Sequence, residues 1–193
     1  MQPFTKRTFT TLLFVASLSA AAVSLPRLCA VLVRPRLSAA LREKIMLGVT
    51  SVNDCRYCSW VHTGLALENG VDMESLQELL QQNIHAANER EGVAILFGKH
   101  FADAVRKPST AAKEKLAEYF TAAERREIMT YIHIIYFANL TGNSADALLA
   151  RLQGRPTNGN PITQLVAACI GAPVLAAIWL NSKRASKRTM EGV

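Results

Sequence analysis

Residues 38–70 read SAALREKIMLGVTSVNDCRYCSWVHTGLALENG, and the fold follows from how this stretch is punctuated. Ser38 stands before a run that carries Leu41, Ile45 and Met46 at helical spacing, which predicts a capped helix through about Val52. Asn53 or Asp54 is expected to cap the next helix and Gly70 to end it. In a helix over 55–69, Cys55 and Cys58 stand at i and i+3 and His62 follows Cys58 by four, so the three share a face. That is a dithiol with an imidazole beside it. A helix N-terminus and a neighbouring imidazole are the two ordinary ways to hold a thiolate near neutral pH. Glu43, twelve residues before Cys55, adds a carboxylate from the preceding helix.

Outward from this pair the chain keeps helical periodicity. Asp72 opens a short helix with Leu76, Leu79 and Leu80 on its inner side. A longer helix over about 86–105 offers Val93, Ile95, Leu96 and Phe101 to the core and stops before Pro108. After a short helix near 111–120, Thr121 and Glu124 form a capping box before an apolar helix through Ile128, Ile132, Ile135 and Phe137. Gly142-Asn143-Ser144 is expected to break and recap the chain, with a further helix to Gly154. No run alternates as a strand does, so the fold class is all-α, an antiparallel helical bundle with short connections.

Half of the 193 residues are hydrophobic and 19% are charged, which excludes a disordered chain. The formal charge is +7, yet zinc-finger repeats and interleaved basic and aromatic residues are missing, so no nucleic-acid partner is expected. The basic residues cluster. Arg27, Arg34, Arg36 and Arg42 come with no acid between 27 and 42, and Lys183, Arg184, Lys187 and Arg188 follow a second apolar segment. These runs name an anionic membrane surface as the first partner to consider. Of the four cysteines, Cys29 and Cys169 fall in apolar runs and are expected to be buried and inert. A zinc site is not expected, because Cys55, Cys58 and His62 lack a fourth ligand.

Nineteen uncharged residues separate Arg7 from Arg27. Three readings compete for them: a cleaved signal peptide, an uncleaved anchor of spanning length, and a helix packed on the domain or a neighbouring subunit. The segment 161–180 carries the same ambiguity, with Gln164, Gly171 and Pro173 weakening a span. The basic flanks favour the cytoplasmic side for the dithiol. The expected division is residues 1–36 as an apolar and basic extension, 37–155 as the helical domain, and 156–193 as a C-terminal apolar helix with a basic tail. The domain is expected to fold and react without residues 1–26.

The spacing Glu-x11-Cys-x2-Cys-x3-His, carried by Glu43, Cys55, Cys58 and His62, resembles the active-site signature of the alkylhydroperoxidase D and carboxymuconolactone decarboxylase superfamily. The text from Leu41 to Leu47, from Val52 to Cys58, and from Ala66 to Gly70 resembles it too, and the likeness covers roughly residues 37 to 153. It implies the two-cysteine branch, because the decarboxylase members lack the redox pair. It also implies the alkylhydroperoxidase D-like bundle and a homo-oligomer of three or more subunits. Tyr57 stands between the cysteines where the well-known peroxidase member has a histidine.

With these residues Cys58 is the expected peroxide-attacking thiolate, its proton going to His62, and Cys55 the resolving thiol of an internal disulfide. The reverse order stays open, since thioredoxin-like sites use the N-terminal cysteine. Glu43 would orient His62, against the plain alternative of a surface ion pair with Arg42 or Lys44. Tyr57 reads as a packed aromatic, His85 and His100 as exposed, His133 as buried with a hydrogen bond, and Asn139, Gly142 and Asn143 as capping and turn residues. The expected function is a thiol-dependent peroxidase or disulfide reductase. It would act on a peroxide or disulfide, use a protein or small-molecule thiol as external reductant, and need no prosthetic cofactor or metal beyond the Cys55–Cys58 disulfide. The rivals are a membrane-associated redox-sensing or assembly module without turnover, and decarboxylase-type acid/base chemistry on Glu43 and His62.

Overall fold

A computed structural model describes residues 4–81 and 88–191, with Trp179 and residues 181–191 described by backbone only. His85 and the start of the helix expected from residue 86 lie outside the described residues. Those described form helices and no strand: α1 (Thr11–Val33), α2 (Ala39–Asn53), α3 (Arg56–Glu68), α4 (Met73–Leu80), α5 (Glu89–Asp103), α6 (Thr110–Tyr119), α7 (Ala122–Leu152) and α8 (Pro161–Glu191). The all-α expectation is met.

Short polar side chains start these helices by satisfying amides that a first turn leaves free. Thr10, Ser38, Asp72, Asn88 and Ser109 each accept from the backbone N–H three residues on, and Thr121 and Glu124 close the capping box. Helix α7 is the axis of the molecule. Its apolar stripe of Ile128, Ile132, Ile135 and Leu140 is fully buried, and α1, α2, α3 and α8 all pack against it. Helix α5 backs α2, and α4 closes a smaller cluster of Leu47, Ala66, Leu76, Leu79 and Ile95.

Three local expectations change. Gly142-Asn143-Ser144 does not interrupt the chain, for α7 runs unbroken through it. The polar groups that suggested a cap bond sideways instead: Asn143 Nδ2 donates to the carbonyls of Asn53 and Arg7, and Ser144 Oγ accepts from Phe9 N–H. A Cβ at Gly142 would stand 3.0 Å from Cys55 Sγ, so the glycine marks a close helix contact. Cys29 and Cys169 are exposed, because the helices that hold them turn those faces outward. His100 is only half-buried, with Nε2 accepting from Ser109 N–H, and His133 is half-buried and hydrogen-bonded to Ser24 Oγ.

The N-terminal segment is built into the bundle. Phe9 is fully buried, its ring 5.2 Å from Phe14 and 5.6 Å from Phe137, and Ser17, Ala21, Ser24 and Val31 form the inward stripe of α1. The outward faces of α1 and of residues 161–178 of α8 remain apolar and exposed, and both helices are long and apolar enough to cross a membrane.

Candidate active site

The connection between α2 and α3 brings the two cysteines together. Asp54 ends α2 in the left-handed region at φ 54°, turning the chain sharply, and Cys55 follows in extended conformation. Neither Asn53 nor Asp54 caps α3, as the sequence led us to expect; Cys55 itself does, its Sγ accepting from Cys58 N–H at 3.5 Å. Asn53 is still the last residue of α2 and Asp54 is its left-handed C-cap, so neither stands at the N-cap position of α3. The Cys55 and Cys58 sulfurs are 2.9 Å apart, and the residues are 1% and 9% exposed. Both cysteines are free thiols.

The thiols are not equivalent. The hydrogen bond between the two sulfurs is the largest influence holding the Cys55 pKa below the ordinary thiol range, opposed by burial and the charge of Asp146 and aided by the backbone amides of Cys58 and Tyr57. The Cys58 pKa is pushed up, by that shared hydrogen bond first and then by burial and the Cys55 charge. A sulfur that already accepts a backbone N–H is the better seat for the negative charge, so the proton shared by the pair rests on Cys58. Asn139, fully buried on α7, partly offsets the rise.

Glu43 and His62 form a second pair. Glu43 is 1% exposed on α2, with Oε2 accepting from His62 Nδ1 at 2.7 Å and Oε1 accepting from Arg42 Nε at 2.9 Å. Burial works against the carboxylate, but the two donors outweigh it and the Glu43 pKa lies below its ordinary value. The Arg42 ion pair and the His62 contact are thus not alternatives, since one carboxylate serves both. Fixing Nδ1 as the donor leaves Nε2 as the basic nitrogen, on the face of α3 that also carries Cys58 one turn earlier.

Sequence reasoning missed what α7 contributes. Asn139, Asn143 and Asp146 stand at i, i+4 and i+7, a buried polar stripe turned toward α2 and α3. Asn139 Nδ2 donates to Thr50 Oγ1 and Asn53 Nδ2 donates to Asn139 Oδ1. Asp146 Oδ1 accepts from Tyr57 Oη at 2.7 Å and from Arg56 at 2.6 Å. Tyr57 is therefore a phenol tied to α7, its pKa raised by burial and by Asp146. The polar i, i+4, i+7 repeat within an apolar helix was the available signal. Among the described residues no three His, Cys, Asp or Glu side chains group as metal ligands.

The carboxymuconolactone decarboxylase family model matches residues 21–96. Over this segment the chain is similar to the carboxymuconolactone decarboxylase family. The family lies in the alkylhydroperoxidase D-like superfamily, which includes both decarboxylases and peroxidases. The match holds all four of Glu43, Cys55, Cys58 and His62, and it begins inside α1, within what the sequence alone divided off as an extension. The α7 stripe lies beyond the match. No curated protein and no solved structure matches the chain significantly.

Proposed function

We propose that the chain is a dithiol oxidoreductase that reduces peroxides, or disulfides by the same exchange, at Cys55 and Cys58. The observation that carries this reading is a pair of free sulfurs 2.9 Å apart, one of them capping a helix as the better thiolate. Cys55 thiolate attacks the peroxide, forming an S–O bond as the O–O bond breaks; the departing oxygen leaves as alcohol or water after taking a proton. Cys58 then attacks the sulfenic sulfur. The S–S bond forms as the S–O bond breaks, and the Cys58 proton passes to Nε2 of His62 and on to the departing hydroxide, which leaves as water. A resolving thiol with a raised pKa needs such a base, and Glu43 keeps the imidazole oriented and stabilises its cation. An external thiol returns two electrons by exchange at the disulfide. A chain that depends on such a reductant belongs in a reducing compartment, and we place it in the cytoplasm.

The test is turnover. With a dithiol reductant supplied, the full chain should consume hydroperoxide catalytically, and Cys55→Ser and Cys58→Ser should each abolish turnover. Oxidation of the pair without catalytic consumption would identify a sensor. Peroxide-independent activity surviving both serine variants but lost in Glu43→Gln would identify acid/base chemistry.

A further inference from the structure

The outward faces of α1 and α8 remain without a partner in the fold. Only 17% of the apolar window of α1 and 22% of that of α8 is buried. Leu12, Val15 and Leu32 on α1, and Ile162, Leu165 and Val166 on α8, are all exposed.

Contacts with α7 fix how the two helices run. Phe9, just before α1, meets Ser144 near the end of α7, while Arg36, just after α1, meets Glu127 near its start. Gln164, early in α8, meets Arg151, and Gly171 lies against Thr141. Both helices are therefore antiparallel to α7 and parallel to each other. Their first turns touch through Thr11 Oγ1 and Thr163 Oγ1 at 3.0 Å. They begin side by side and expose apolar surface along α1 and along residues 161–178 of α8.

Crossing a bilayer is excluded by what packs behind them. The other side of α7 holds α2 and α3, with the Glu43–Arg42–His62 cluster, the Lys44–Glu91 ion pair at 2.9 Å and the Asn139–Asn53 network. A bilayer spanned by α1 and α8 would enclose α7 and draw those groups into hydrocarbon, at a cost of several kcal/mol for each charge. Lying flat immerses only the outward stripes.

Charge selects the surface. From residue 8 to 36 the chain carries Arg27, Arg34 and Arg36 and no acid, and from 161 to 190 it carries Lys183, Arg184, Lys187 and Arg188 and no acid. The chain's excess of positive charge thus sits in these two segments. A second copy docked face to face would bring these basic runs together, with Glu191 the one acid in either helix to pair them. Anionic headgroups supply the missing partner. We infer that the outward faces of α1 and α8 form one platform that lies on an anionic lipid surface, entering the interface without crossing it.

The inference does not depend on the dithiol chemistry, and its test reads binding alone. The full chain is mixed with vesicles of phosphatidylcholine, with and without phosphatidylglycerol, and sedimented. Binding should be at least about tenfold stronger with the anionic lipid and should weaken with salt. Alkaline carbonate should release the bound protein. Leu32→Asp with Val33→Asp, at sites 58% and 79% exposed, should reduce binding while leaving the melting temperature unchanged. Arg34→Gln with Arg36→Gln should abolish the preference for anionic lipid, which keeps the test decisive if the first variant misfolds. Equal binding to both vesicles, no binding, or resistance to carbonate would overturn the inference. So would a stable oligomer that Leu32→Asp dissociates in the absence of lipid.

Discussion

Cys55 has two tasks at the residue scale: it caps α3 and holds the charge of the dithiol. The spacing of Cys55, Cys58, His62 and Glu43 was legible because each lies within one or two helices whose caps are local. That Cys55 rather than Asn53 takes the cap was not, because α2 continues through Asn53, where Asn139 and Asn143, far away in sequence, bond its side-chain amide and carbonyl. Gly142 is the tightest point around the thiols. In an exposed helix Gly→Ala stabilises by about 1 kcal/mol, but here the new methyl meets Cys55 Sγ at 3.0 Å and Tyr57 Cδ2 at 3.1 Å. Overpacking should win, and Gly142→Ala should destabilise by about 1–3 kcal/mol in urea unfolding. Glu43→Gln separates the two proton roles. It should slow disulfide closure after peroxide by about 100-fold while leaving the alkylation rate of Cys55 unchanged, as rapid-quench mass spectrometry can measure.

At the scale of the element, α7 shows where local rules mislead. Gly-Asn-Ser is a strong breaker signature when only neighbours are counted. Here the Asn143 amide satisfies two backbone carbonyls from other segments, a larger effect than the few tenths of a kcal/mol of helix propensity that asparagine forgoes. The caps at Ser38, Asp72 and Thr121 were legible because their partners lie three residues away. Further up the same helix, His133 joins α7 to α1 through Ser24, packs against Phe101 of α5 at 5.7 Å, and lies near Arg106 and Arg27. Burial, then the two arginines, lower its pKa from the ordinary value of 6.5. The unfolded chain therefore takes up this proton first. Stability from neutral His133 is complete above about 6.5 and is lost as pH falls through the lower folded value. Melting temperatures between pH 7 and pH 5 should drop less in His133→Gln than in the parent chain.

The whole molecule is more tightly joined at its N-terminus than composition suggests. An apolar stretch followed by arginines reads as anchor or packed helix about equally, with a cleaved leader behind them, because hydropathy does not say what a stripe will meet. The fully buried Phe9 and its contact with Phe137 supply that information. Removing residues 1–26 takes away Phe9, the Ser24 partner of His133 and the Arg7 carbonyl bound by Asn143. Loss of a buried phenylalanine alone costs about 3–5 kcal/mol, a large share of the stability of a chain this size. The chain expressed from Arg27 should therefore unfold or aggregate, by circular dichroism and sedimentation, and not persist as an independent reactive domain.

The central claim is that Cys55 and Cys58 form one redox unit whose charge rests on Cys55. It is tested most directly by treating the reduced chain with one equivalent of peroxide near neutral pH, quenching with iodoacetamide and mapping the peptides by mass spectrometry. The account predicts alkylation of Cys55 in preference to Cys58 before peroxide. After peroxide, one internal Cys55–Cys58 disulfide should form while Cys29 and Cys169 stay alkylated. Both central thiols remaining free after oxidation, or Cys58 alkylating first in the reduced chain, would contradict it.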